Sequence, residues 1–259
     1  MHPFIHVFSK IIPAYGLCIV TGAVLSSGIA ALRLKKLGMD VYDFLVGEGY
    51  GLLGAMIGSK LLYLIISIKN IDFSRITDPE YLTLWMSGGF VFYGGLLGAF
   101  LAVLLCKKIH HIDVMKYLKK LAFLIPFAHG FGRIGCHMAG CCYGIPYHGF
   151  GAIVFPEGAF GAPAGVELFP VQLTEACLLF LLSGFLFWWA VKKPESVNGL
   201  YLYLILYGII RFFMEMLRYD LEDRGGLIIV FSISQWISVL LIAAGVFGIW
   251  RDVKTKKMA

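Results

Sequence analysis

Residues 171–193 read VQLTEACLLFLLSGFLFWWAVKK: an apolar run from Val171 to Val191 that stops at the paired Lys192 and Lys193. A helix needs roughly 20 apolar residues to span the hydrocarbon core of a bilayer, and this stretch supplies them. Six other stretches do the same: Ile11–Leu32, Phe44–Ile68, Tyr81–Cys106, Leu121–Gly140, Gly199–Leu217 and Leu227–Trp250. Of the 259 residues, 59% are hydrophobic and 15% charged, against roughly 25% charged in soluble domains. The reading is an all-α integral membrane protein with about seven transmembrane helices in one polytopic domain. Met1–Lys10 carries little positive charge and no small-x-small cleavage site follows it, so the first span is expected to insert uncleaved.

Basic residues set the expected orientation. With the N-terminus outside, the inner segments hold Arg33, Lys35, Lys36, Lys107, Lys108, Lys116, Lys119, Lys120, Lys192, Lys193, Arg251, Lys254, Lys256 and Lys257. The outer segments hold Lys10, Lys69, Arg75, Arg218 and Arg224. The bias predicts N-terminus out and C-terminus in the cytoplasm. It also accounts for the net charge of +6, which therefore gives no reason to expect nucleic acid as a partner. The segment from Cys141 to Pro170 then faces outward. Rich in Gly, Pro and aromatic residues, and without Lys or Arg, it is expected to form an ordered lid at the membrane interface. Gly54/Gly58 and Gly94/Gly98 have the spacing of close helix packing.

Charged side chains at membrane depth cost roughly 2.5–3.5 kcal/mol each on insertion scales and mark a function or a structural pair. Those here are Glu48, Lys60, Arg133, Glu175, Arg211 and Glu215. Arg211 and Glu215 lie four apart and can pair on one helix face; Arg218 continues that face outward, which suits a polar cavity better than one structural pair. Glu48 and Lys60 cannot reach each other, so each needs a partner elsewhere. Arg133 sits in HGFGRIGCHMAGCCYG, residues 129–144. Its glycines would weaken a helix, predicting irregular backbone that lets an anionic headgroup approach. Arg133 and Arg211 together predict an anion site in the outer half of the membrane, suited to a phospholipid phosphate.

These segments, in order from about residue 13 to 250, resemble the bacterial prolipoprotein diacylglyceryl transferases. Tyr15-Gly16-Leu17 is similar to that family's early Tyr-Gly-Leu. Gly88-Gly89 with Phe92-Tyr93-Gly94-Gly95-Leu96 resembles its Gly-Gly and Phe-His-Gly-Gly-Leu. Ile125-Pro126 and Gly132-Arg133-Ile134-Gly135 resemble the start of its signature, Gly-Arg-Leu/Ile-Gly-Asn. Pro170-Val171-Gln172-Leu173-Thr174-Glu175 resembles Pro-Ser-Gln-Leu-Tyr-Glu, and Gly208-Ile209-Ile210-Arg211 with Glu215 and Arg218 resembles the helix carrying a second essential arginine.

The resemblance implies an enzyme of the bacterial cytoplasmic membrane. It would move a diacylglyceryl group from phosphatidylglycerol to a preprolipoprotein's lipobox cysteine, releasing glycerol phosphate, with no metal or other cofactor. It implies Arg133 and Arg211 as catalytic, and Tyr93, Cys136 and His137, at or beside positions where the chain departs from the family pattern, complete the candidate catalytic set. The substrate-binding set is Tyr15, Lys60, Gly132, Gly135, Gly144, Gln172, Glu175, Glu215 and Arg218. His129, one turn before Arg133, shares its face. Gln172 and Glu175 would orient headgroup or loop, or bond across helices.

The signature departs from the family pattern where the chemistry would lie. Cys136 replaces the asparagine, Ala139-Gly140-Cys141-Cys142 replaces Asn-Gly-Glu-Leu, Tyr93 replaces the histidine, and Lys60 stands where arginine is frequent. Four readings of Cys136, Cys141 and Cys142 stay open: packing, one reactive thiol helped by His137 or Tyr93, a disulfide on the outer face, and a metal site, against which the absence of paired Cys-x2-Cys spacing counts. Rival functions are a lipid-group transferase with another acceptor, a membrane thiol redox or metal-binding protein, and a lipid-binding protein without activity.

Overall fold

The structure is a computed structural model that describes residues 3–7, 10–193, 198–219 and 226–258. Arg224, one of the outer basic residues, lies outside them. In chain order the elements are strands β1 (Phe4–Val7) and β2 (Lys10–Pro13), helices α1 (Ala14–Lys36), α2 (Val41–Ile66), α3 (Pro79–Ser87), α4 (Phe92–His110), α5 (Val114–Leu121) and α6 (Leu124–Ala139), strands β3 (Ile153–Val154) and β4 (Glu167–Leu168), helices α7 (Val171–Lys192) and α8 (Gly199–Glu215), strands β5 (Leu227–Ile228) and β6 (Phe231–Ser232), and helix α9 (Ile233–Met258). The three strand pairs are separate antiparallel hairpins.

Among the described residues, five helices are long and apolar enough to cross a membrane: Ala14–Lys36, Val41–Ile66, Tyr93–His110, Val171–Lys192 and Ile233–Thr255. The protein is an all-α integral membrane protein. The other two expected spans are helices as well, but shorter: α6 has 16 residues and α8 has 17. At 1.5 Å per residue these reach roughly 25 Å, a little short of the hydrocarbon thickness.

Three boundaries differ from the sequence expectation. The stretch expected as a single span from Tyr81 to Cys106 breaks at Gly88-Gly89. Gly89 has φ +72°, and a Cβ there would lie 2.2 Å from the Tyr63 ring, so only glycine allows this backbone. At the two ends, Ile11–Pro13 and Leu227–Ser232 form hairpin strands instead of helix. Hydropathy reports apolar length and is blind to the backbone conformation within it.

The chain forms two compact units, 33–117 and the combination of 1–32 with 118–259. In the first, Asp40 caps α2 by accepting from the Tyr42 and Asp43 amides, matching the preference of aspartate for this position. Helices α2 and α4 touch backbone to backbone, as the paired glycines predict. A Cβ on Gly58 would lie 2.3 Å from the Gly94 carbonyl oxygen, and one on Gly98 2.2 Å from that of Gly54. In the second unit glycines notch other helices together: Gly22 of α1 lies against Phe131 of α6, Gly130 of α6 against Phe180 of α7, and Gly208 of α8 against Ser238 and Ile242 of α9. With no hydrophobic drive between helices in lipid, such close packing supplies the attraction.

The 141–170 segment is ordered. Its β3–β4 hairpin pairs Ile153 with Leu168, and Phe155, Ala162 and Leu168 form a buried core against Tyr143, Ile153 and Ala159. Backbone hydrogen bonds tie it to the C-terminal ends of α6 and α8: the Phe160 amide to the Ala139 carbonyl at 2.9 Å and the Ile145 amide to the Leu217 carbonyl at 3.0 Å.

Gly98→Ala is expected to destabilise the α2–α4 pair by about 1–3 kcal/mol, the usual cost of overpacking. Gly47→Ala, where nothing lies within 4 Å of the added carbon, should leave stability unchanged or raise it. Thermal unfolding of both variants in detergent checks this.

Candidate active site

Four of the six charged residues that looked expensive in the sequence, Arg133, Glu175, Arg211 and Glu215, meet between α6, α7, α8 and α9, whereas Glu48 and Lys60 lie on α2. Glu175, 1% exposed, stands at the start of α7. Its Oε1 lies 2.9 Å from Arg133 Nη2 and its Oε2 lies 3.5 Å from Arg211 Nη1. Arg211 also pairs with Glu215 one turn on and donates to Ser234 Oγ at 2.8 Å. Ser232 Oγ donates to the other oxygen of Glu215 at 3.0 Å. The Ser232 amide in turn donates to Gln235 Oε1 at 3.0 Å. The result is a chain, Arg133–Glu175–Arg211–Glu215, anchored on the N-terminal turn of α9.

This chain is not saturated. Arg133 Nε and Arg211 Nη1 are buried and have no hydrogen-bond partner. A buried guanidinium N–H without an acceptor costs more than one left in water. The chain is balanced, two guanidinium groups against two carboxylates, and these two N–H groups are the donors it leaves for a further acceptor. Along α6 the backbone beside Arg133 is open, since a Cβ on Gly132 would meet nothing within 4 Å.

The same helix corrects one expectation. Helix α6 runs unbroken from Leu124 to Ala139 through Gly130, Gly132 and Gly135. Packing overrides the low helix propensity of glycine: a Cβ on Gly135 would come 3.0 Å from the Tyr15 ring and 3.2 Å from Cys18 Cβ. Gly135 thus serves the contact with α1 and seats Tyr15 beside the last turn of α6. The irregular backbone begins at Gly140, left-handed with φ +77°, whose amide returns to the Cys136 and His137 carbonyls. This is the usual glycine stop of a helix.

That stop brings the cysteines together. The Cys141 amide also bonds the Cys136 carbonyl, at 3.1 Å, and Cys142 is itself left-handed with φ 59°. Gln172 Nε2 donates to the Cys141 carbonyl at 2.9 Å, so this side chain orients the loop. The Sγ atoms of Cys136, Cys141 and Cys142 lie within 4.8 Å of one another, as free thiols. Hydrogen bonds from Cys136 and Cys141, with the charges of Arg218 and Arg133, outweigh burial and hold the Cys142 thiol well below the ordinary thiol range; the contacts with Cys136 and Cys142 push Cys141 far above it.

Gly144 supports the far side. A Cβ there would lie 2.4 Å from the Phe169 carbonyl oxygen, and Gly144 bridges Arg218 in antiparallel fashion, fixing Arg218 two residues from Cys142. His137 meets Phe155 edge-on at 5.9 Å, and its buried Nδ1 has no hydrogen-bond partner. His129 meets Tyr207 edge-on at 5.2 Å, a helix-contact role. Lys60 and Tyr93 belong to the 33–117 unit. Lys60 Nζ donates to the Trp85 and Gly88 carbonyls and lies over the Tyr63 and Phe90 rings, tying α2 to the Gly88–Gly89 break. Tyr93 is exposed at the start of α4. Ser232, Ser234 and Gln235 were not singled out in the sequence. The same rule that flagged the charges, extended to neutral polar groups opening an apolar span, would have found them.

The pattern of the family described as "Prolipoprotein diacylglyceryl transferase" matches residues 4–251. The chain is 37% identical over 240 residues to the phosphatidylglycerol–prolipoprotein diacylglyceryl transferase of Clostridium tetani, covering 93% of each chain. It is 32% identical over 240 residues to the protein numbered 2 under that name in Clostridium perfringens, covering 93% of this chain and 91% of the relative. Against the protein of the same name in Pasteurella multocida it is 32% identical over 213 residues, 79% of this chain and 74% of the relative.

Glu175→Ala removes the carboxylate between two buried guanidinium groups. It should cost about 3–5 kcal/mol, the range for breaking a buried ion pair from one side, measured as a fall in detergent melting temperature. Glu175→Gln keeps the shape and should lose less.

Proposed function

The chain belongs to the prolipoprotein diacylglyceryl transferase family, and on that premise we propose that it transfers a diacylglyceryl group from phosphatidylglycerol to the lipobox cysteine of a preprolipoprotein, at the outer face of the bacterial cytoplasmic membrane. The observation that carries the reading is the Arg133–Glu175–Arg211 chain with its two unmatched donors. In a multi-pass membrane protein, two buried arginines with N–H groups left over from their ion pairs suit a lipid phosphate.

The reaction forms a bond between the acceptor sulfur and the glyceryl carbon that carries the phosphate ester. The carbon–oxygen bond breaks and its electron pair leaves with glycerol phosphate; the thiol proton passes to a base. Negative charge grows on the departing phosphate oxygen, where Arg133 and Arg211 stand ready. Donors already aimed at developing charge need no reorganisation during the step. Glu175 holds both arginines in place, and Glu215, Ser232 and Ser234 hold Arg211 from behind. His137, whose Nδ1 has no hydrogen-bond partner, and Tyr15 beside Gly135 are the groups of this unit suited to exchange the thiol proton. The resemblance extends a substrate-binding role to Lys60, and Tyr93, at the position of the family's histidine, is a further catalytic candidate. The 141–170 segment acts as the outer lid, with the N-terminus outside and the C-terminus in the cytoplasm.

Purified protein given phosphatidylglycerol and a lipobox-cysteine peptide should release glycerol phosphate in step with a diacylglyceryl mass gain on the peptide. Arg133→Ala should lower the rate by roughly 100-fold or more, the scale for losing one donor at developing charge. A rate near wild type in that variant would sink the phosphate-site reading. Glycerol phosphate release with an unmodified peptide would point to another acceptor.

A further inference from the structure

The cysteine cluster is the one group of chemistry-bearing side chains that this mechanism leaves without a task. The three sulfurs come from two pieces of chain, the last turn of α6 and the turn after Gly140. Their mutual distances, within 4.8 Å, lie close to the roughly 3.8 Å that separates thiolates bound at 2.3 Å around a tetrahedral zinc. Small sulfur movements would close the difference. Packing alone does not require this convergence. It is built by the left-handed Gly140 and Cys142, the Cys141 amide bond to Cys136, and the Gln172 clamp on the Cys141 carbonyl. The resemblance implied no cofactor and the missing Cys-x2-Cys pairs counted against a metal, but the folded turn supplies the proximity that such spacing normally provides.

We propose that Cys136, Cys141 and Cys142 hold a thiophilic divalent cation of the zinc class, and that the acceptor cysteine of the substrate occupies its fourth coordination position. The second half rests on the transferase reading above. Among the described residues, the group of potential ligands contains these three sulfurs and no fourth His, Cys, Asp or Glu. Three protein ligands with an open position is the pattern of a zinc site that binds substrate, whereas a purely structural zinc is closed by four. Binding releases the protein's thiol protons to solvent. A thiol joining the cation loses its proton outright, so the acceptor sulfur reaches the glyceryl carbon as the thiolate that displacement requires. The new thioether is a weaker ligand and leaves. Three protein thiolates on a divalent cation carry one net negative charge, and Arg133 and Arg218 stand on either side of the cluster in the chain. Substituting this arrangement for the histidine and asparagine of the family pattern would keep the same transfer while changing how the thiol is activated.

The test titrates the metal-free full-length protein in detergent with Cd2+ and with Co2+. It follows thiolate-to-metal charge-transfer absorption and counts sulfur neighbours by X-ray absorption, with metal protection of the three thiols from alkylation read by mass spectrometry. The expected result is one cation per chain with three sulfurs, rising to four on adding a lipobox-cysteine peptide and staying at three with its serine counterpart. Cys136→Ser, Cys141→Ser and Cys142→Ser should each weaken binding by roughly 100-fold. The wild-type protection pattern gives an answer even if a variant fails to fold. No cation at one equivalent, or a disulfide within the cluster in protein purified without added oxidant, overturns the proposal. A bound cation whose sulfur count ignores the cysteine peptide overturns its second half. Undiminished transfer by metal-free protein would refute the thiol activation and leave the transferase reading standing. A fourth sulfur without any transfer would do the reverse.

Discussion

The carboxylate of Glu175 lies between Arg133 on α6 and Arg211 on α8, and among the described residues no other carboxylate pairs with both helices. Buried charges survive only when paired and hydrogen-bonded. Glu175 therefore sets the relative placement of three helices while leaving each guanidinium with a donor to spare. The rest of the unit supports that arrangement. Gly130 lets α6 settle on Phe180 of α7, Gly208 lets α8 settle on α9, and the start of α9 supplies the hydroxyl groups that hold Arg211 and Glu215.

Stability and function pull on these same residues. A charge chain whose donors were fully matched would be a structural ion network and no more. Here Arg133 Nε and Arg211 Nη1 are left without a hydrogen-bond partner, at the place where the proposed phosphate would bind. That is the expected signature of a preorganised electrostatic site. The lid segment adds to it by covering the end of the bundle where Cys141, Gly144 and Arg218 converge, through main-chain hydrogen bonds to α6 and α8.

The membrane class was legible from apolar length alone, and the Arg211–Glu215 pair from four-residue spacing. The α2–α4 contact was legible from glycines four apart. What escaped the sequence were features set by backbone conformation or by distant chain. The break at Gly88-Gly89 lies inside a continuous apolar run. The glycines of α6 suggested an irregular backbone by propensity, whereas Phe180 of α7 fills the notch at Gly130, Tyr15 and Cys18 of α1 fill that at Gly135, and the helix stays intact. Glu175 and Arg133 are 42 positions apart on different helices, a pairing that no periodicity reports. The cysteines are five and six apart, more than one helical turn, and meet only because Gly140 turns the chain back over Cys136.

The central claim is that the arginines joined by Glu175 hold a lipid phosphate. It is tested most directly by native mass spectrometry of protein taken from mixed phosphatidylglycerol and phosphatidylcholine bilayers. The account predicts one phosphatidylglycerol retained per chain in preference to phosphatidylcholine, with retention lost in Arg133→Gln and Arg211→Gln protein that is still folded. Equal retention of both lipids, or retention unchanged by those substitutions, would contradict it.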